Sequence, residues 1–221
     1  AFSYLLLYMC FLFIFALIHK KNPHINVLEK SKDLKISELF KNKRFLLSAA
    51  SGTLDVFASF PLFIFLPFLL LVKGFSAEIL GALVSVFFIG NLLGKTLLGR
   101  AIDKHGHIKI FVMAEVLMAV FITLLALSTS LISILIFSVV LGILTKGTVP
   151  VIQTMVSDAV EHHGNFEKSI SAYSTIANVS VASSPILLGI ISNNLGVTQA
   201  FFVSAGFAFA AIIPALFIPF L

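Results

Sequence analysis

Seven long apolar runs divide this 221-residue chain, at approximately 1–19, 45–72, 78–100, 109–128, 131–157, 168–192 and 199–221. A helix needs about 20 residues to cross a bilayer, so each run predicts one transmembrane helix. From the second run onward the connections are short, as in a compact bundle. The exception is the stretch 20–44, which carries eight Lys/Arg and three Asp/Glu. Within it Leu34, Ile36, Leu39 and Phe40 stand among lysines over 31–43. That spacing fits an amphipathic helix lying on the membrane surface, and equally a flexible basic linker. The chain therefore divides into an isolated transmembrane helix (1–19), a basic cytoplasm-facing or surface linker (20–44) and a six-helix transmembrane bundle (45–221). The first run lacks the basic start and small-residue cleavage site of a signal peptide. Its positive charges, Lys20 and Lys21, follow it. We read it as a spanning helix, and the chain as a fragment of a longer protein.

Composition supports the same class. Hydrophobic residues make up 59% of the chain and charged residues 11%, against roughly a quarter charged in soluble domains. A surface this apolar needs lipid as its solvent, and the fold class is an all-α polytopic membrane protein. The net charge of +5 does not imply nucleic acid, because the basic residues sit on one side. Stretches 20–44, 100–109 and 158–168 hold twelve of the fifteen Lys/Arg, while the opposite turns hold only Lys73. The positive-inside rule places the rich side in the cytoplasm. The N-terminus is then outside, the C-terminus cytoplasmic, and the cell membrane the expected location. Cys10 is the single cysteine, so no intrachain disulfide can form.

The densest charge outside the linker lies in Gly90–Lys109, which leaves an apolar run at Gly99 and turns at Gly106. We read it as a helix end, a short charged turn and a helix start. Its Gly90-x-x-x-Gly94-Lys95-Thr96 is one residue short of a phosphate-binding loop and lies in an apolar run rather than after a strand. A shift of 90 residues lays Gly74, Ala82, Leu97, Leu98, Gly99 and Gly106 on Gly164, Ala172, Leu187, Leu188, Gly189 and Gly196. The matched segments run in opposite directions, which suggests two inverted three-helix repeats, a recurring plan in secondary transporters. Arg100 and Asp103 are one helical turn apart and can pair. A carboxylate such as Asp103 can also cap the positive end of a neighbouring helix.

The pattern Gly99, Arg100, Asp103, Lys104, Gly106, Lys109 resembles the cytoplasmic loop motif of the major facilitator superfamily, with His107-Ile108 less basic than is usual there. Gly142, Gly147, Pro150 and Asp158 are similar to that family's tenth helix. Ser184-Pro185 and Gly189 to Gly196 are similar to its eleventh helix and following turn. The resemblance implies that the chain is the second half of a twelve-helix transporter, with the first segment and linker as the sixth helix and central loop. It also implies that Asp103 faces a helix of the missing N-terminal six-helix half, as a gating latch between two states.

Ionisable residues inside spanning segments are costly and are functional candidates. Here they are Asp55, Lys95, Glu115 and Lys146. At ~1.5 Å per residue, Asp55 and Lys146 lie at matching depths near mid-membrane, and the resemblance puts both on cavity-lining helices. They fit a pair across a cavity, a charged-substrate site, a proton-exchange site or a purely structural ion pair. Lys95 and Glu115 are also level on adjacent segments, and we expect them to form a structural ion pair. Asn91, Gln153, Tyr173 and Asn178 are further candidate substrate contacts, or else helix-packing hydrogen bonds. His105, His107, His162 and His163 are expected to be solvated in loops, without the spacing of a metal site. No nucleophilic triad is visible.

These features predict secondary active transport of a small solute by alternating access, with coupling to protons at Asp55. The partners are then the lipid bilayer, a small-molecule substrate, protons and the N-terminal half, with no cofactor, metal or enzymatic step. The alternatives are a seven-helix receptor or sensor and a non-transporting fragment. The acid and base leave the substrate open.

Overall fold

A computed structural model describes residues 36–161 and 166–220. The first expected segment, most of the basic linker, and His162 and His163 lie outside the described residues. The described chain is helical, in the order α1 (Ile36–Leu39), α2 (Lys43–Val72), α3 (Ala77–His105), α4 (His107–Leu127), α5 (Leu131–Asp158), α6 (Phe166–Leu195) and α7 (Val197–Phe217). A 3₁₀ turn, Ile218–Phe220, closes it. Among the described residues six helices, α2 to α7, are long and apolar enough to cross a membrane. Each coincides with one of the predicted segments.

The ends differ from expectation where polar residues continue a helix. Among the described residues of this stretch the helix is Ile36–Leu39, and its Leu39 is buried in the bundle. Asn42 caps α2: its Oδ1 accepts from the Phe45 N–H at 3.2 Å, and its Nδ2 donates to the Ala159 carbonyl at 2.7 Å. One side chain thus starts α2 and ties it to the end of α5. The helix begins inside the stretch read as linker, because its first turn is stabilised by a cap rather than by apolar residues.

The larger difference concerns Gly90–Lys109. Arg100 to His105 continue α3, and the turn is the single residue Gly106. Gly106 has φ 82° and ψ 149°, and Gly196, between α6 and α7, has φ 99° and ψ 156°. This region of backbone space is open essentially to glycine alone. A helix can therefore stop and a second one start across one residue. Charged side chains do not end α3, since Arg, Lys and Asp at a helix terminus tolerate helical backbone, and cations there suit the helix dipole.

Packing sorts the helices into seams. The most extensive joins α3 to α5. Gly90 and Gly94 on α3 face Gly142 and Gly147 on α5, and a Cβ on Gly90, Gly94 or Gly142 would run into backbone carbonyls of the opposing helix. In lipid no hydrophobic effect drives helices together, so close backbone approach at small residues supplies the attraction. The Thr145 hydroxyl donates to Asn91 Oδ1 across the same seam at 3.0 Å. The next seams join α2 to α7, α4 to α7 and α5, and α2 to α6. Phe111, Ala114, Met118 and Ile122 of α4 and Ala208, Ala211 and Ala215 of α7 form much of the buried interior. At the far end from Gly106, Lys73 Nζ donates to the carbonyls of Ala126 (2.8 Å) and Ser128 (2.6 Å), clamping the end of α2 to the end of α4. Burial holds the Lys73 ammonium below the ordinary lysine range.

Candidate functional site

Four helices, α2, α3, α5 and α6, surround a cavity of about 460 Å³. Asp55, Lys146, Gln153, Tyr173 and Asn178, five of the residues singled out in the sequence, all line it. They come from three helices, so their convergence is a property of the fold. Asp55 is only 3% exposed, whereas Lys146 is exposed to the cavity side. The two form no ion pair, but the lysine is close enough for its charge to act on the carboxylate. Tyr173, 8% exposed, packs its ring on the bare Cα of Gly52 and beside Ile152.

Sequence reading missed three parts of this site. The first is an aromatic wall of Phe60, Phe63, Phe87 and Phe88. Phe63 and Phe88 meet edge to face with ring centroids 5.1 Å apart. Such a wall gives a ligand apolar area, while the few polar groups fix its orientation. The signal was hidden because 24 phenylalanines are spread through the chain. The second part is Thr145, whose hydroxyl holds Asn91, itself a candidate by its polarity, on the cavity side of the α3–α5 seam.

The third is Glu115, and here an expectation is corrected. Lys95 and Glu115 form no ion pair. Glu115 is wholly buried and shares the buried face of α4 with Phe111, Ala114 and Met118. Lys95 is exposed beside Leu92, Leu93 and Leu97. The expectation took consecutive helices to be the interacting ones. Instead α3 turns Gly94 toward α5, which leaves Lys95, about 100° further round the helix, away from α4. Glu115 faces Asp55 instead: the two carboxyl groups are near enough to act on each other, and Thr148 lies beside Asp55.

The motif residues take a different place. Arg100, Asp103, Lys104 and Lys109 are exposed at the Gly106 end, far along α3 and α4 from the cavity. Arg100 and Asp103 make no ion pair with each other, although both lie on α3. A Cβ added to Gly99 would meet nothing within 4 Å, so Gly99 makes no close contact within the described bundle. His107 is not a solvated loop residue. Its Nδ1 lies 3.2 Å from Asp158 Oδ2, joining the start of α4 to the end of α5. These two residues and Arg44 border a smaller cavity of about 200 Å³.

Comparison with curated proteins returned no match. The family profile described as the Major Facilitator Superfamily matches residues 48–221, which takes in all six membrane-length helices except the first turn of α2. The chain belongs to the Major Facilitator Superfamily, and it is a multi-pass membrane protein of the transporter type.

Proposed function

We propose that residues 45–221 form the C-terminal half of a secondary active transporter, and that the cavity between α2, α3, α5 and α6 is its half of the substrate site. The observation that carries this reading is the convergence of Asp55, Lys146, Gln153, Tyr173 and Asn178 on that one cavity. An apolar enclosure with a few convergent polar groups is the general form of a small-molecule site. One acid and one base beside an aromatic wall suit a small solute with both a charged or polar group and an apolar body.

Transport proceeds by alternating access, with this half rocking against an N-terminal half of six helices. The helices with the least buried faces are α3 and α6, and both border the cavity, so the partner half covers that side. The basic end, with Arg100, Lys104 and Lys109, is cytoplasmic by the positive-inside rule. Residues 1–19 then supply a further spanning helix and 20–44 a cytoplasmic linker, in the cell membrane. Two inverted three-helix units, α2–α4 and α5–α7, account for the paired glycine turns at Gly106 and Gly196. Exchanging the units also turns the α3–α5 seam into α6–α2, and α2–α7 into α5–α4, all of which are packed pairs.

Asp55 is the residue that couples transport to a proton gradient. The test uses the full-length protein in proteoliposomes, first screened for substrate and then driven by an imposed pH gradient. Asp55→Asn should retain substrate exchange at equal pH and lose uphill, gradient-driven transport. Gradient-driven transport at the wild-type level in Asp55→Asn rules out the coupling role.

A further inference from the structure

Glu115 is a buried ionisable group that the transport reading leaves without a task. It is wholly buried on α4 and does not line the cavity. Its carboxyl group lies near enough to that of Asp55 for each to act on the other. Asp55 Oδ1 and both carboxyl oxygens of Glu115 are buried without a donor. Ser51, one turn before Asp55 on the buried side of α2, also has a buried hydroxyl without a partner. The charged or titratable groups facing the pair are Lys146 from α5 and Tyr173 from α6. The seventh helix, α7, carries no ionisable residue.

Two carboxylates cannot lie this near each other in a dry interior unless something positive sits between them. The Lys146 ammonium acts on Asp55 but forms no ion pair with it. With one proton on the pair, Asp55, Glu115 and Lys146 together are neutral. Without it they carry a net negative charge; among the described residues Lys146 is the one cation that acts on Asp55, and Lys95 on α3 is exposed outside the cavity lining. The set holds two carboxyls and neutral hydroxyls, and no histidine or cysteine. A proton on one carboxyl makes it a donor to the other, and so supplies the donor that these buried oxygens otherwise lack.

We propose that Asp55 and Glu115 form a two-carboxyl site that binds one proton, with Asp55 as the member open to the cavity and Glu115 as the member sealed in the bundle. The inference rests on the cavity being the transport site, and it adds a second carboxyl to that site. The proton enters from the cavity onto an Asp55 oxygen and is held in the hydrogen bond to Glu115. It leaves by the same route, and the pair then presents its full negative charge to Lys146. Occupancy of the pair thereby sets how strongly Lys146 is drawn to Asp55, and how free it is for an anionic group of the substrate.

Infrared spectroscopy of the full-length protein in heavy water tests this without a substrate. At neutral pH the wild-type protein should show the carbonyl stretch of a protonated carboxylic acid, and Glu115→Gln should lose one group's worth of that band. Glu115→Asp, which keeps a carboxyl in place, should retain the band at a shifted frequency. Replacing choline chloride by sodium chloride at constant pH should leave it unchanged. The proposal is overturned by a wild-type spectrum with no such band, by an undiminished band in monodisperse Glu115→Gln, or by loss of the band in sodium. The first of these needs no variant to fold. A band that behaves as expected beside transport indifferent to a pH gradient would sink the coupling role and leave the proton site standing.

Discussion

The ring of Tyr173 lies against Gly52, so close that a Cβ at residue 52 would sit 2.5 Å from the tyrosine hydroxyl oxygen and 2.7 Å from Cγ2 of Ile152. Gly52 is one turn before Asp55 on α2, and its missing side chain is what lets α6 bring a tyrosine to the carboxylate. Gly52→Ala must therefore push Tyr173 toward the cavity. Overpacking of this kind costs roughly 1–3 kcal/mol. We expect a lower unfolding temperature in detergent, together with weaker substrate affinity. Tyr173→Phe in the Gly52→Ala background should recover part of both losses, because the atom nearest the clash is the hydroxyl.

At the α3–α5 seam the neighbours are backbone, which cannot rotate away. A Cβ on Gly142 would overlap the Phe87 carbonyl, whereas the same atom on Gly99 meets nothing within 4 Å. Gly142→Ala should destabilise the bundle by roughly 2–3 kcal/mol, at the upper end of overpacking costs, or prevent its assembly. Gly99→Ala should raise stability by roughly 0.5–1 kcal/mol through helix propensity. Thermal unfolding of both variants in one detergent decides the comparison. If Gly99→Ala is stable yet abolishes transport in the full-length protein, the surface it disturbs belongs to contact with the other half.

The contrast between Gly99 and Gly142 also marks what the sequence could reveal. Segment number and position were legible for α2 to α7, because about twenty apolar residues between polar turns leave a bilayer-spanning helix as the natural structure. The turn at Gly106 was legible as well, since only glycine suits that backbone. Which helices become neighbours was not. Small residues occur on every helix, and nothing in Gly90 or Gly142 alone says that each meets the other. That gap explains the fate of Glu115. Depth along the helix placed it level with Lys95, but depth carries no information on direction around the axis. The five cavity residues needed only depth and polarity, and those are properties of each helix by itself.

Gly106 and Gly196 should be intolerant of any side chain. Their φ of 82° and 99° with ψ near 150° lie outside the left-handed helical region that asparagine enters with ease. Alanine and asparagine should therefore be equally damaging at each site, at about 1–3 kcal/mol. Thermal unfolding of Gly106→Ala, Gly106→Asn and the two corresponding Gly196 variants gives the answer. An asparagine variant as stable as wild type would mean that the turn can relax to the left-handed helical form.

Lys73 closes the opposite end of the bundle by donating to two carbonyls at the end of α4. Lys73→Met removes both bonds and should cost roughly 1–2 kcal/mol, since water can reach and partly satisfy the carbonyls. The pH dependence has a definite sign. Burial lowers the folded-state pKa of Lys73, so the unfolded chain binds its proton more readily, and stability rises with pH across the window between the lowered value and the ordinary one. The amine can still donate once neutral. The stability advantage of wild type over Lys73→Met should therefore grow on the alkaline side, below the ordinary lysine pKa. An advantage that shrinks there contradicts the desolvation account.

Asp103 separates structure from gating most directly. It is exposed on the last turns of α3 and has no ion pair with Arg100. Surface changes away from packed features usually stay within about 0.5 kcal/mol, so Asp103→Asn should leave the unfolding temperature of the protein nearly unchanged. If its carboxylate caps a helix end of the N-terminal half in one conformation, the contact is worth about 1–2 kcal/mol. Losing it shifts the ratio of the two conformations by a factor of roughly 5–30. Cysteine accessibility on the two sides of the full-length transporter would read that ratio. A shift in accessibility without a change in stability supports the latch. A change in stability without a shift would place Asp103 in the packing of a single half, where the geometry around α3 gives it no partner to lose.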